Sequence, residues 1–492
     1  MALPKEAFRE LEDIVGPENI SEDPTIMPAY FNTAFAAVVL PGSVEEIRAI
    51  VLVCNKYKIP FRAICTGWTG RFQPGTLLLD LRRMNRIIEI NERNLYAVVE
   101  PYVTLAQLQA ELWKRGLHCN VKGAGTNCTA LLRGHGHLDQ STSADDRNYL
   151  AVEWVTPTGK VVRTGALGLV GEWYTGDGPG PSLRALISGA VPPGVTPGVI
   201  TKAAIKLYHW PGPAYWDVKG TNPHYYLEEL PPNFFVRYYW FPDVDRMLEA
   251  EARIGESEIA LELMGFNLSM VVANITTSNE EEEKLYDELK DEVKGPGFLV
   301  ILGGLSEADL SYKRKVLEMI VKETDGHVLS ITEDPKVQGL LLIHCTRICA
   351  SVRETFRAGG AFRSIPVMGQ RDLVARWAVG AAEAKRSLIA RGLVVDDGGH
   401  FFGWGVEHGH LGKTEIFCRY DPRDPEAAEA VEQWYTEQTE RALQEGYFAN
   451  FMLPWEKIRT SVGPRLCNFH IWWEEVMDII DPLRLTTSSP LV

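Results

Sequence analysis

The sequence predicts an α+β fold, and three observations carry that expectation. Residues 40–64, LPGSVEEIRAIVLVCNKYKIPFRAI, put Ile47, Ile50, Val51 and Cys54 at helical spacing behind a Ser43–Glu46 capping pair, and Pro60 then opens a strand. Residues 76–117 give two β-rich runs about a polar turn at Asn91–Asn94, followed by a helix with Thr104 as its cap. Past a PGP breaker at 211–213, a strand, an acidic helix and a further strand follow one another.

The elements read in order as follows. The N-terminal MALPKEAFRELEDIVG is an amphipathic segment. Asn148 to Trp210 runs strand, glycine-rich loop, helix, then VITKAAIKLYHW as strand. LELMGFNLSMVVANI is expected as strand, SNEEEEKLYDELKDEVK as a helix with a Ser278–Glu281 capping box, and GFLVILGGL as strand, which together make a βαβ-like unit. The acidic run Glu280–Glu283 suits a helix N-terminus without any ligand. QRDLVARWAVGAAEAKRSLIARG is an amphipathic helix, HFFGWGVEHGHLGKTEIFCRY one or two strands rich in aromatics and histidine, and WEKIRTSVGPRLCNFHIWWEEVMDIIDP a helix ending at Asp481-Pro482. No internal repeat is visible.

Composition narrows the class. A chain of 492 residues can hold two or three units of about 150 residues each. Hydrophobic residues at 45% and charged residues at 23% are those of a folded globular protein. The formal net charge of -15 argues against a nucleic-acid surface, which needs clustered Lys and Arg, so no nucleic-acid partner is expected. The N-terminus shows no secretory pattern and the longest apolar runs, such as FLVILGGL, are too short to span a bilayer; no transmembrane segment is expected, and the cytoplasm is the expected compartment. The 8 cysteines lack the spacing of an iron–sulfur or zinc-knuckle site. Cys345 and Cys349, one helical turn apart, read as buried thiols, with a metal pair as the alternative.

The stretch ICTGWTGRF, residues 64–72, places a bare loop between two apolar runs. Small residues let backbone N–H groups converge on an anion. The loop lacks the Lys-Ser/Thr ending of a Walker loop and does not match GxGxxG, so neither ATP hydrolysis nor a Rossmann fold is supported. Taken alone, a tight connecting turn is an equal reading. In order along the chain, however, come LLLDLRRMNRI, AVVEPYVTLAQL, GAGTNCTALLRGHGH, VEWVTPTGKVVRTG and GPGPSLRALISGAVPPGVTPGVITKAAIKL. With TGWTG these resemble the FAD-binding half of the vanillyl-alcohol oxidase and p-cresol methylhydroxylase (PCMH) superfamily, which also includes glycolate oxidase subunits and D-lactate dehydrogenases. The resemblance runs over about residues 30 to 213.

That resemblance implies a two-subdomain FAD-binding PCMH-type fold with an α+β cap: an FAD-binding domain over 1–213, a cap or substrate domain over 214–450, and a C-terminal segment, 451–492, packing back on the first. FAD would lie extended between two α+β subdomains, its pyrophosphate on Thr66, Gly67, Trp68, Thr69 and Gly70. Pro101, Val103 and Thr104 fall where the family's E-P-G-V-T segment meets the cofactor, and Gly198, Val199 and Ile200 where its G-(I/V)-x-T-K segment backs the ring. Two departures stand out: Tyr102 replaces the usual glycine, and Pro192, Pro193 and Pro197 crowd a stretch that is normally richer in glycine. The pyrophosphate loop holds no histidine, through which parts of the superfamily attach flavin covalently; attachment elsewhere stays open.

Flavin oxidation of an alcohol needs a base for the hydroxyl proton and positive charge for any substrate carboxylate. The 11 histidines fall largely into GHGH at 134–137 and GHFFGWGVEHGH at 399–410. On a strand, His408 and His410 would share one face, as paired ligands or a ligand and a base would. His410-Leu411-Gly412 is similar to the start of the G-H-x-G-D-G-N-x-H motif of the glycolate oxidase branch, after which Lys413, Thr414 and Glu415 depart from it. A divalent metal on His408, His410 and Glu415 is one reading, and an ordinary aromatic-rich strand the other. Arg419 is the candidate to grip a substrate anion, with a solvated surface arginine as the alternative. LLRGHGH resembles a segment near the flavin edge, which brings in His135 and His137, and the resemblance returns Asn468 and His470 towards the flavin domain.

The expected function is an FAD-dependent dehydrogenase that oxidises a 2-hydroxy acid to the 2-oxo acid. Its electrons would leave for a quinone, an electron-transfer flavoprotein or an iron–sulfur subunit, so an electron-accepting partner protein is expected. One rival is oxidation of a para-substituted phenol; another is a flavin that only relays electrons within a larger complex.

Overall fold

The computed structural model describes the chain apart from residues 1–2, 27–28, 31–34, 67–73, 123–127, 132–135, 139, 144, 178–196, 222–224, 347–359, 398–400, 446–447, 450–458, 461–462, 466 and 487–492, and apart from the side chains of 122, 136–137, 145–146, 401–402, 404, 448–449 and 469. It is a mixed fold built on three principal sheets. The first has four strands in the order Ile20–Ser21, Ala37–Val39, Leu77–Asp80, Phe61–Ile64, the last three parallel. Leu77–Asp80 is buried throughout, and so reads in the sequence as an unbroken apolar run. The helix Val44–Tyr57 connects the parallel strands, with Ser43 accepting from Glu46 N; the Glu46 carboxylate returns to Gly42 N. Lys5–Val15 packs beside it through Ala7, Leu11 and Val15.

The second sheet is antiparallel, in the order Val161–Arg163, Tyr149–Val155, Val199–Lys206, Tyr96–Val99, Ile87–Asn91. The helix Leu105–Trp113 follows Tyr96–Val99 in the chain and starts at a full Thr104–Gln107 capping box. The third sheet has eight antiparallel strands: His327–Val328, Phe234–Trp240, Gly297–Gly303, Glu262–Phe266, Phe401–Val406, Leu411–Tyr420, Ala361–Gly369, Phe448–Ala449. One face is covered by the helices Val244–Glu256, Glu307–Glu323, Arg371–Ala390 and Pro425–Gln444. The other shares a core with the second sheet, where Val236, Tyr238, Met264, Phe266, Leu299 and Phe417 meet Val99, Val103 and Leu105. Among the described residues no helix is long and apolar enough to cross a membrane.

Two expectations are corrected. LELMGFNLSMVVANI is a strand only over Glu262–Phe266; Asn267 then accepts from Met270 N and starts the helix Leu268–Ile275. The βαβ-like unit is therefore strand, two helices, strand, and its strands pair antiparallel. The acidic run does open a helix, Asn279–Leu289, and within it Glu282 is buried. The C-terminal helix runs Phe469–Ile480, and beyond it the Leu485 carbonyl accepts from Phe61 N at 3.0 Å, tying the end of the chain to the first sheet.

Candidate functional site

Three separated segments meet at the C-terminal end of the parallel strands. Phe61–Ile64 runs out into Cys65 and the exposed Thr66, and the Cys65 thiol donates to Pro101 O at 3.2 Å. Burial pushes that thiol up to about 12. Pro101–Thr104 is a turn clasped by the 128–130 segment, with Leu105 N donating to Cys128 O and Ala130 N to Val103 O, both at 2.8 Å. Val103 is buried and Thr104 caps its helix. Gly67, Trp68, Thr69 and Gly70, with His135, lie outside the described residues, and His137 is described only as backbone paired with Val121.

Asp80 ends a strand beside this crest and is almost fully buried. It accepts from Tyr30 Oη at 2.9 Å and from Arg82 Nε at 2.8 Å. Burial and the Asp80 charge together push the Tyr30 phenol up. Tyr102 lies half-buried nearby, its phenol raised by burial first and by Asp80 second.

Gly198 immediately precedes the strand that carries Val199 and Ile200, at φ +78, where a Cβ would meet Val155 O at 2.2 Å and Trp154 Nε1 at 2.8 Å. Trp154 Nε1 donates to Pro197 O at 2.6 Å. Only glycine fits this backbone. Val199 and Val155 share a core cluster against which Cys65 and Tyr102 pack.

The cap residues differ from expectation. His408 and His410 are not on a strand: Val406 pairs with Leu411, and residues 407–410 are the hairpin turn, with Glu407 at φ +51, His408 at +57 and Gly409 at +86. The Gly409 position is the physical reason, because a turn with successive positive φ favours glycine. His410 is exposed at the tip, while His408 is partly buried, donates its backbone N–H to Gln140 O at 3.1 Å and has a buried Nδ1 with no partner. Glu415 sits well along the next strand opposite Phe402. These three do not converge, and among the described residues no group of three His, Cys, Asp or Glu is arranged to hold a metal. Arg419 is also corrected. It is 2% exposed, and its guanidinium donates to Glu282 Oε1 at 3.0 Å and Ser269 Oγ at 2.6 Å, so it ties its own strand to two helices rather than facing a ligand. Asn468 is exposed and His470 buried in the first turn of its helix.

What the structure adds is a polar junction where the hairpin tip meets the 138–143 segment. Gln140 is fully buried, and neither amide atom has a partner. Its Oε1 and Arg371 Cδ each lie 3.6 Å from where a Cβ on Gly405 would be. Arg371 opens the helix Arg371–Ala390, and from the helix Val244–Glu256 the buried Glu251 faces it. Burial, opposed by Arg371, lifts the Glu251 carboxyl to about 7. Glu407 is held in an ion pair with Arg147. Gln140 and Arg371 carried no readable signal, but Glu251 did: it shares a helix face with Met247, Leu248 and Ile254.

Residues 35–165 match the family model of an FAD binding domain. That stretch is an FAD binding domain, and the likenesses that follow are to FAD-linked enzymes of the PCMH type. The chain is 29% identical over 175 residues to the 1'-carboxy-chondrochloren decarboxylase of Chondromyces crocatus, covering 32% of each protein. It is 31% identical over 182 residues to the 4-cresol dehydrogenase [hydroxylating] flavoprotein subunit of Pseudomonas putida, covering 34% of each. It is 26% identical over 223 residues to the glycolate oxidase subunit GlcD of Bacillus subtilis, covering 42% of this chain and 45% of that one. The chain thus spans about a third of the length of the first of these relatives. The crystal structure of p-cresol methylhydroxylase with substrate bound has the same fold, with a TM-score of 0.73 at 18% identity over 98% of this chain and 95% of that one.

The described residues fit FAD. A crest at the carboxyl ends of parallel strands is where such sheets take ligands. The buried carboxylates of Asp80 and Glu100 are already paired with Arg82 and Arg86, so neither opposes a diphosphate, and Gly198 keeps its strand end free of a side chain.

Proposed function

We propose that this chain is an FAD-dependent oxidoreductase that converts a small 2-hydroxy acid to the 2-oxo acid and passes the electrons to a protein or quinone acceptor. The observation that carries the reading is the junction of His408 with Gln140. A histidine with a buried, unpartnered Nδ1 lies against the segment that follows GHGH, which supports His408 as the base for the substrate hydroxyl. FAD, when bound, supplies the hydride acceptor. Thr66–Gly70 and Pro101–Thr104 would hold its pyrophosphate side and Gly198–Ile200 would back its ring. The chain's own residues bind the acid, orient its hydroxyl towards His408 and take its proton there.

We also infer the division into an FAD-binding domain over 1–213, a cap over 214–450 and a returning segment over 451–492. The separate eight-stranded sheet and the Leu485–Phe61 bond support it. Likeness to a glycolate oxidase subunit favours the hydroxy acid, and the 31% local identity to a 4-cresol dehydrogenase subunit favours a para-substituted phenol as the second reading.

The test is an absorbance spectrum of the purified protein before and after acid precipitation, with lactate, glycolate or a 4-alkylphenol then added anaerobically. Bleaching by a hydroxy acid, slowed in His408→Asn with little change in substrate affinity, is the expected result. Bleaching by the phenol alone would transfer the chain to the second reading. No flavin after reconstitution would end both.

A further inference from the structure

We propose that Arg371 and Gln140, with His408 beside them, form a carboxylate-binding site at the hairpin tip. The proposal rests on the reading above for the identity of the acid, but not for the binding of the anion. Three observations converge. Gln140 is 0% exposed and leaves both Oε1 and Nε2 unsatisfied. A buried amide without partners is destabilising, a cost that an apolar residue of the same shape would avoid. A carboxylate can accept from Nε2, and the hydroxyl of a hydroxy acid can donate to Oε1.

Arg371 is the second observation. Among the described residues its guanidinium makes no hydrogen bond and no ion pair, and its buried Nε has no acceptor. It is only partly buried, so the junction opens to solvent along it. A planar guanidinium fork matches the two oxygens of a carboxylate. The third is the local field. Arg371 is the first residue of a 20-residue helix whose cap, Gln370, makes no side-chain capping bond, so the positive helix end adds to the charge. Gly405 and Gly409 keep the floor clear: Arg371 Cδ is 3.6 Å from a Cβ position on Gly405, and a guanidinium nitrogen is 2.8 Å from one on Gly409. The nearby carboxylates do not occupy the fork. Glu407 is held by Arg147, and Glu251 faces Arg371 without pairing with it. This pair therefore takes the role that the sequence assigned to Arg419.

Isothermal titration calorimetry on the flavin-loaded protein tests the site, with malonate and inorganic phosphate as probes and with Arg371→Met and Gln140→Leu as variants. Bound flavin and the melting temperature verify folding. Malonate is expected to bind, with affinity about tenfold weaker or worse in Arg371→Met and several-fold weaker in Gln140→Leu. Gln140→Leu is also expected to melt no lower than wild type, a pattern that a purely structural glutamine does not give. If Arg371→Met fails to fold, Gln140→Leu decides alone. Absence of malonate binding, or unchanged affinity in the folded variants, would overturn the proposal, and preference for phosphate over malonate would overturn its carboxylate assignment. Malonate binding that follows these expectations in a protein whose flavin no hydroxy acid bleaches would sink the proposed reaction and leave the site standing.

Discussion

Glu251→Gln is expected to stabilise the protein at pH 8 and to leave it nearly unchanged at pH 4.5. Glu251 is 6% exposed, and its carboxyl titrates at about 7 in the fold against an ordinary 4.5, because burial outweighs the help of Arg371. Between those values the folded state holds a proton that the unfolded chain has lost, so stability falls as pH rises. Below 4.5 both states are protonated and the cost vanishes; above 7 it is complete. The gap of about 2.5 pH units, at about 1.4 kcal/mol each, amounts to about 3 kcal/mol. Glutamine keeps the shape and removes the titration. The assay is urea unfolding followed by tryptophan fluorescence for wild type and variant at pH 4.5, 6 and 8. The difference between the two proteins should grow with pH, since other titrating groups cancel in it. A difference that stays flat across the three pH values would refute the reasoning, as would a variant less stable than wild type at pH 8.

The other expectations concern positions assigned above. Gly198→Val puts a Cβ 2.2 Å from Val155 O at a φ of +78, so the purified variant should carry much less flavin by absorbance than wild type; full flavin content would show that the strand end tolerates a side chain. Arg419→Met strips Glu282 of its buried partner and should cost about 3–5 kcal/mol in urea unfolding, with the KM of the folded fraction unchanged. A raised KM at unchanged stability would return Arg419 to the substrate.

The sequence disclosed elements where local chemistry decides them. Ser43, Thr104 and Ser278 each accept from the third residue beyond, as capping requires. FLVIL reads as a buried strand because Gly297–Gly303 is covered on both faces. It misled where an apolar run hides a change of period: in LELMGFNLSMVVANI, Asn267 is the one break, and it is the helix cap. In GVEHGHLG the alternation argument for His408 and His410 assumed a continuous strand, whereas Gly409 signals the turn. The fate of Arg419 was beyond sequence reasoning, because its partner Glu282 lies 137 residues away. The same holds for Gln140 and Arg371, which only the packing of the hairpin tip brings together.

Asp80 presents the sharpest electrostatic conflict in the proposed cofactor site. A buried carboxylate at the end of a parallel strand sits beside the loop expected to hold a diphosphate, and the fold offsets it with Arg82, whose guanidinium is half exposed while Asp80 is 1% exposed. Tyr30 adds a hydrogen bond but no charge. Arg82→Met should therefore uncover one negative charge near the cofactor. At an effective dielectric of about 20, a unit charge about 10 Å from another contributes on the order of 1.5 kcal/mol, or roughly tenfold in FAD affinity. Because the effect is electrostatic it should shrink with added salt. Asp80→Asn in the Arg82→Met background should restore the affinity, since it removes the charge that arginine had covered. FAD titration of the apoprotein by flavin fluorescence at low and high salt separates the alternatives. If Arg82→Met binds FAD like wild type, the pair does not face the cofactor; if the double variant stays as weak as the single one, Arg82 acts by packing or direct contact rather than by covering Asp80.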